Sequence, residues 1–140
     1  MDALAPNPCI ARLLEAARLA PSADNSQPWR LRVRDGGLRV EYDDARAGAQ
    51  GFGPRDPATL LAMGALIETV LAAADEMDLA LTVATSPGDG QPPWYLDARL
   101  GEAAPGCPEA PRDHPLWRRH TNRFGYHATA LPGALTAALA

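Results

Sequence analysis

The stretch from Ala20 to Trp29 constrains the fold more than any other part of this 140-residue chain. Pro21 ends the helix predicted before it, because the proline ring fixes φ and removes a backbone donor, and Pro28 fixes a second bend. Five polar side chains between the two prolines can hydrogen-bond a ligand or their own backbone: Ser22, Asp24, Asn25, Ser26 and Gln27. The stretch therefore predicts a short polar connection between a helix and a strand.

Regular patterns flank this connection on both sides. Asn7 followed by Pro8 is typical of a helix start, and apolar residues at helical spacing predict a helix over residues 8–19. After the connection, apolar residues alternate with arginine over 29–33, and alternation resumes over 38–42 after an Asp35-Gly36-Gly37 turn. This pattern predicts an antiparallel hairpin.

One long helix and two more strands are predicted next. Residues 43–55 predict a loop, and Asp56 with Pro57 predicts the start of a helix that runs to about Met77. Its expected core stripe is Leu60, Met63, Ile67, Val70, Leu71 and Ala74. Alternation over 79–83 and 95–100 predicts a pair of strands. Because helices and strands do not alternate strictly, the sequence predicts an α+β fold with an antiparallel or mixed sheet packed by helices.

Proline and glycine concentrate between residues 101 and 113, which makes this segment the best linker candidate. We therefore expect a first domain over residues 1–104, a linker over 105–114 and the start of a second domain over 115–140. Leu131, Leu135 and Leu139 begin a helical apolar spacing with no capping signal after them. The second domain is therefore expected to be truncated.

Composition argues against several classes of function. The net charge is −4 and the 13 basic side chains, all arginine, form no run, so no nucleic-acid or membrane partner is expected. Cys9 and Cys107 have no metal-ligand spacing, and neither do the histidines. No apolar run is expected to span a membrane, and no signal-peptide pattern opens the chain. These features predict a soluble protein of the reducing cytoplasm.

A second candidate site lies in the segment Arg119-His120-Thr121-Asn122-Arg123. If this segment is extended, Arg119, Thr121 and Arg123 face the same way, since side chains alternate along an extended chain. Two guanidinium groups and a hydroxyl on one face form a good phosphate receptor. The alternative is a solvated, arginine-rich surface turn.

The residues Asn25-Ser26-Gln27-Pro28-Trp29, after Ala20-Pro21-Ser22 and before an alternating strand, resemble the flavin-binding segment of the nitroreductase family. The arginine segment, followed by Leu131-Pro132, resembles the segment with which that family holds the FMN phosphate. The resemblance implies flavin contacts for Ser22 and Asn25 and a pocket-shaping role for Gln27 and Trp29. It implies phosphate contacts for Arg119, Thr121 and Arg123.

The same resemblance implies a nitroreductase-like layered fold and an FMN-dependent oxidoreductase. NAD(P)H would supply hydride to the flavin, and a nitroaromatic, quinone or similar small molecule would accept it. No catalytic side chain is expected, because the cofactor carries the chemistry. The order of the two segments is similar to the tandem, Acg-like branch, in which two such domains are fused. The long helix would then contact a second domain of the chain or the other subunit of a homodimer.

Two alternatives remain open at the level of sequence. The first is a protein that binds or stores FMN without turnover. The second is a structural fragment of a tandem protein with no ligand of its own. Flavin binding separates the second alternative from the others, and NAD(P)H oxidation separates the enzyme from the storage protein.

Overall fold

The structure is a computed structural model and describes residues 7–34, 36–85, 94–101, 107, 114–121 and 132–138. Within these residues the two longest helices lie on one face of a four-stranded antiparallel sheet. The helices are α1 Pro8–Ala17, α2 Asp44–Ala47, α3 Pro57–Glu76, α4 Pro115–Arg118 and α5 Gly133–Ala138. The strands are β1 Trp29–Arg34, β2 Gly37–Tyr42, β3 Leu81–Thr85 and β4 Trp94–Leu100.

Helix α1 begins where the sequence predicts. The Asn7 side chain accepts a hydrogen bond of 2.8 Å from the backbone N–H of Cys9, and Pro8 occupies the first turn, where no intrahelical donor is lost. The helix ends at Ala17, two residues before the predicted end, and the N–H of Leu19 closes a turn onto Ala16. One apolar face of α1 is buried in the core.

The predicted hairpin and the predicted strand pair are both confirmed. Strand β1 pairs with β2 from Trp29 opposite Tyr42 to Arg34 opposite Gly37. Strand β4 pairs with both β2 and β3, so the order is β1-β2-β4-β3 and every pairing is antiparallel. The side chains that face the helices form the sheet's part of the core; the fully buried ones are Leu38, Val40, Leu96 and Ala98. The α+β class and the antiparallel sheet are therefore confirmed.

Helix α3 follows the predicted bounds, with Asp56 accepting a hydrogen bond of 2.8 Å from the N–H of Ala58. The predicted stripe is wrong in part, because Leu60 is 49% exposed and Ile67 and Leu71 are only half-buried. The buried face consists of Thr59, Ala62, Met63, Leu66, Val70, Ala73 and Ala74. Alanine on this face permits a close approach of neighbouring elements. Apolar residues surround the whole helix, so their spacing in the sequence does not define one face.

The same apolar character corrects the expectation about membrane spans. Among the described residues, α3 is long and apolar enough to cross a membrane by length and composition, with a hydropathy of 1.6. The core helices of soluble proteins have the same length and apolar character. Met63, Leu66 and Val70 are buried in the core shared with α1 and the sheet. This arrangement is compatible with a soluble protein.

Residues 43–55 contain more structure than the predicted loop. Helix α2 and a 3-10 turn over Gly48–Gln50 occupy most of this segment. Two phenols hold the residues after this turn, since Tyr42 donates a hydrogen bond of 2.5 Å to the carbonyl of Phe52 and Tyr95 donates one of 2.6 Å to that of Pro54. Burial, and to a smaller extent nearby carboxylates, raises the pKa of Tyr42, so this phenol stays protonated as a donor.

The segment 114–121 packs against the helices. Leu116 and Trp117 of α4 contact the core, and the guanidinium of Arg12 lies 5.7 Å from the centre of the Trp117 ring. His114 Nε2 lies 3.1 Å from a carboxylate oxygen of Glu76, at the last turn of α3. Most of the predicted linker lies outside the described residues. The division into residues 1–104, 105–114 and 115–140 stays a prediction.

Candidate functional site

The connection between α1 and β1 has an unusual backbone. Three of its residues, Asp24, Asn25 and Gln27, have positive φ angles of 48°, 55° and 45°. An L-residue in this left-handed region costs roughly 1–2 kcal/mol, a cost that Asn and Asp reduce with local hydrogen bonds. Gln adopts this region less often than Asn or Asp does. Conformations of this kind persist only where the surrounding structure holds them, and they concentrate at functional sites.

Hydrogen bonds within the connection hold this shape. The Ser22 hydroxyl oxygen accepts a bond of 3.0 Å from the N–H of Gln27. The N–H groups of Asn25 and Ser26 donate to the carbonyls of Ser22 and Ala23, at 3.2 and 2.8 Å. These bonds close a 3-10 turn over Ala23–Asn25.

The end of the connection is anchored in the core. Trp29 is 4% exposed and Pro28 is fully buried. The N–H of Trp29 donates a bond of 2.7 Å to the carbonyl of Gln27, which closes a tight turn around Pro28. Trp29 therefore belongs mainly to the core.

A groove of about 360 Å³ lies between this connection and the first half of α3. Pro21, Ser22 and Ala23 form one wall, and Ala58, Leu61, Ala62 and Ala65 form the other. Leu61 is 76% exposed although it is a large apolar residue. The groove thus offers an apolar surface on α3, with Ser22 on the opposite wall. Pockets of this composition suit an apolar ring that carries polar groups at its edge.

The predicted site residues of the connection differ in their position relative to the groove. Ser22 lines the groove, whereas Asn25 and Gln27 are not among its lining residues. Asn25 is exposed, and its carboxamide has no hydrogen-bond partner in the described part of the chain. Gln27 is half-buried and its side-chain oxygen accepts a long bond of 3.5 Å from Arg46. The carboxamide of Asn25 is therefore available to a ligand, and that of Gln27 is partly engaged.

The arginine segment presents two of its three predicted residues together. Arg119 Nη1 donates a hydrogen bond of 3.4 Å to the hydroxyl of Thr121, and Arg119 has extended backbone angles. The buried Nε of Arg119 has no partner within the described residues. Arg123 lies outside the described residues.

Arg119 differs in this respect from the arginines of the sheet. Arg30, Arg32 and Arg39 each pair with a carboxylate: Asp43, Glu41 and Asp97 respectively. In the part of the chain that the structure describes, no carboxylate pairs with Arg119. A half-buried guanidinium with an unpaired N–H is a suitable receptor for an anion.

The two candidate segments approach each other along α1. Trp117, two residues before Arg119, lines a cavity of about 270 Å³ with Arg12, Glu15 and Leu19. Leu19 immediately precedes the Ala20–Trp29 stretch. Between the described residues of the two segments there is no hydrogen bond or ion pair. The structure thus places both beside α1 without joining them.

Sequence reasoning missed the α3 wall of the groove. The adjacent residues Leu60 and Leu61 held a usable signal, because neighbours on a helix lie about 100° apart and cannot both occupy the centre of one face. At least one of them must therefore point away from the core. In the structure both leucines are exposed, and Leu61 lines the groove.

Comparison with known proteins adds no assignment. No protein-family model matches the chain, and no curated protein matches it. The resemblance to nitroreductases rests on the residues of the 20–29 and 119–123 segments. The function must therefore be argued from the groove, the connection and the arginine segment.

Proposed function

We propose that the chain binds FMN and acts as a nitroreductase-type oxidoreductase within a nitroreductase-like fold. When bound, FMN would accept hydride from NAD(P)H and pass it to a nitroaromatic, quinone or similar acceptor. One observation carries the proposal: the connection between α1 and β1, which contains three left-handed residues, supplies one wall of an apolar groove on α3 through Pro21, Ser22 and Ala23. The protein's task is to bind and orient the ring.

The groove fits the ring system of a flavin chemically. An isoalloxazine has apolar faces and hydrogen-bonding groups along its edges, and α3 offers the side chains of Leu61, Ala62 and Ala65 to a face. The Ser22 oxygen already accepts the Gln27 N–H, so its hydroxyl hydrogen is free to donate to a ring edge. Asn25 adds a carboxamide that can both donate and accept.

The arginine segment fits the phosphate. Arg119 is not neutralised by a described carboxylate, and its guanidinium fork can bind two phosphate oxygens at once. Thr121, bonded to the same guanidinium, supplies a hydroxyl donor. We include Arg123 in the proposal on its spacing in the sequence.

The exposed leucines support a further part of the proposal, which is contact with a second domain or with the other subunit of a homodimer. Leu60 and Leu61 leave an apolar strip on α3 beside the groove. A second domain of the same chain or the other subunit of a homodimer would cover this strip and exclude water from the groove. Cytoplasmic location is part of the same proposal, since NAD(P)H is an intracellular reductant.

A leucine pair on α3 provides the test of flavin binding. Leu61→Gln should weaken FMN binding by about tenfold, because a groove wall of apolar surface is lost, whereas Leu60→Gln, outside the groove, should leave it unchanged. Binding is measured by titration of flavin fluorescence. Equal effects of the two variants would place the flavin elsewhere, and no binding by the unmodified chain would favour the structural fragment.

Turnover is measured separately. The FMN-saturated protein should oxidise NAD(P)H faster than free FMN does when a quinone or nitroaromatic is added. Stoichiometric FMN without accelerated oxidation would instead identify the protein that binds or stores flavin.

A further inference from the structure

The face of the sheet that points away from the helices carries a cluster of arginines. Side chains alternate along a strand, so the neighbours of the buried residues point away from the core. On β1 and β2 these outward residues include Arg30, Arg32, Arg34 and Arg39, and β4 adds Arg99. Much of the basic charge of a chain with a net charge of −4 thus lies on one face. The alternation explains why no basic run appears in the sequence.

Carboxylates neutralise part of this charge. Arg32 Nε lies 2.6 Å from a carboxylate oxygen of Glu41, and Arg39 pairs with Asp97. Arg34 is exposed and has no ion pair among the described residues. This part of the sheet therefore has an excess of positive charge.

The three central arginines meet at one depression of about 650 Å³ on β1 and β2. Its lining consists of Leu31, Arg32, Val33, Arg34, Arg39 and Glu41. Arg32 lies directly opposite Arg39 in the strand pairing, and Arg34 follows two residues after Arg32, roughly 7 Å along the strand. Like charges in opposite positions destabilise a sheet. An anion in the depression would relieve this repulsion.

Two of these guanidinium groups retain donors for an anion. Arg32 directs its Nε to Glu41, and its Nη groups have no partner among the described residues. Arg34 makes no described side-chain bond and is exposed. Each planar guanidinium can bind two phosphate oxygens at once. Two such groups, separated by two residues of one strand, suit an anion with several linked charged groups better than a single phosphate.

We propose that this depression binds an oligophosphate, a chain of linked phosphate groups that is either free or part of a nucleotide. Arg32 and Arg34 bind different phosphate groups, and Arg39, held by Asp97, adds electrostatic attraction. The site shares no lining residue with the α3 groove. It is therefore independent of the proposed flavin function.

Inorganic tripolyphosphate is the probe for this site, titrated into the full chain by calorimetry at low ionic strength, because salt screens exposed charges. We expect tripolyphosphate to bind at least tenfold more tightly than orthophosphate. Arg34→Gln should weaken tripolyphosphate binding by about threefold to tenfold, the effect of an exposed charged contact. Arg34→Lys keeps the charge and should retain more of the affinity. Circular dichroism checks that the variants are folded.

Arg18→Gln is the matched control, because it removes the same charge from an exposed position at the end of α1. It should leave the affinity for tripolyphosphate nearly unchanged. Equal losses for Arg18→Gln and Arg34→Gln would show general attraction to the protein and overturn the proposal. So would the absence of tripolyphosphate binding, or orthophosphate binding of equal strength.

A titration with ATP identifies the source of the phosphate chain. An affinity equal to that of tripolyphosphate would assign the site to the phosphate chain alone, and a much tighter affinity would assign it to a nucleotide. In both cases Arg34→Gln should weaken ATP binding as it weakens tripolyphosphate binding. ATP binding that is insensitive to Arg34→Gln would place the nucleotide elsewhere and overturn the nucleotide assignment.

Discussion

The two candidate binding segments differ in how they are held. The Ser22–Gln27 connection has three internal hydrogen bonds, and Pro28 and Trp29 anchor its end in the core. The described arginine segment has two side-chain bonds: one of 3.4 Å between Arg119 and Thr121, and one of 3.2 Å between the His120 ring and the carbonyl of Arg118. The connection is therefore held in its shape by its own hydrogen bonds and its buried end, whereas the buried Nε of Arg119 has no partner among the described residues.

This difference suggests a division of work in ligand binding. A connection that already has its bound shape selects the shape of a ring and loses little entropy on binding. Uncompensated guanidinium groups supply attraction to an anion, and they gain order when the anion arrives. We expect substitutions of the buried residues that anchor the connection to lower stability. Substitutions in the arginine segment should instead lower the affinity for the phosphate.

The largest effect should come from Trp29, which anchors the end of the connection in the core. Trp29→Ala should lower the free energy of unfolding by about 3–5 kcal/mol, the usual loss for a large buried aromatic residue, measured by urea denaturation. Trp117→Ala is the matched control. It is half-buried, so its loss should be clearly smaller. Equal losses would show that Trp117 of α4 contributes as much to the stability of the core as Trp29 does.

A smaller effect, on binding, is expected in the arginine segment. Arg119→Ala should weaken FMN by about 1.5–3 kcal/mol, the worth of a hydrogen bond to a charged group, or roughly tenfold to a hundredfold or more. Riboflavin lacks the phosphate and should bind as before. Arg118→Ala, at the neighbouring position, serves as the control and should change neither affinity. If FMN and riboflavin lost equal affinity, Arg119 would support the fold instead.

The smallest effect concerns the carboxamide of Asn25, which has no hydrogen-bond partner among the described residues. Asn25→Gly keeps the left-handed backbone and removes only the side chain, so FMN affinity should fall by about 0.5–1.5 kcal/mol. The apoprotein's melting temperature should change little. Asp24→Gly makes the same backbone change beside it and should leave FMN affinity intact. An equal loss for both variants would attribute the effect to the turn rather than to the carboxamide.

Local signals in the sequence predict most of the fold. Asn7 and Asp56 cap their helices as expected, because a cap depends on residues within one turn. The hairpin around Gly36 arises from alternation and a turn residue with a φ of 73°. The polar stretch between Pro21 and Pro28 is likewise predicted as a short connection from its own residues. Each of these features is set by neighbours in the chain.

Tertiary structure alone decided the features that depend on distant residues. Which face of α3 is buried could not be predicted, because apolar residues surround this helix and only its packing with α1 and the sheet exposes Leu61 to the groove. The left-handed angle of Gln27 is maintained by Ser22 and by the anchored Trp29. Contacts between distant residues cannot be deduced from their spacing along the sequence.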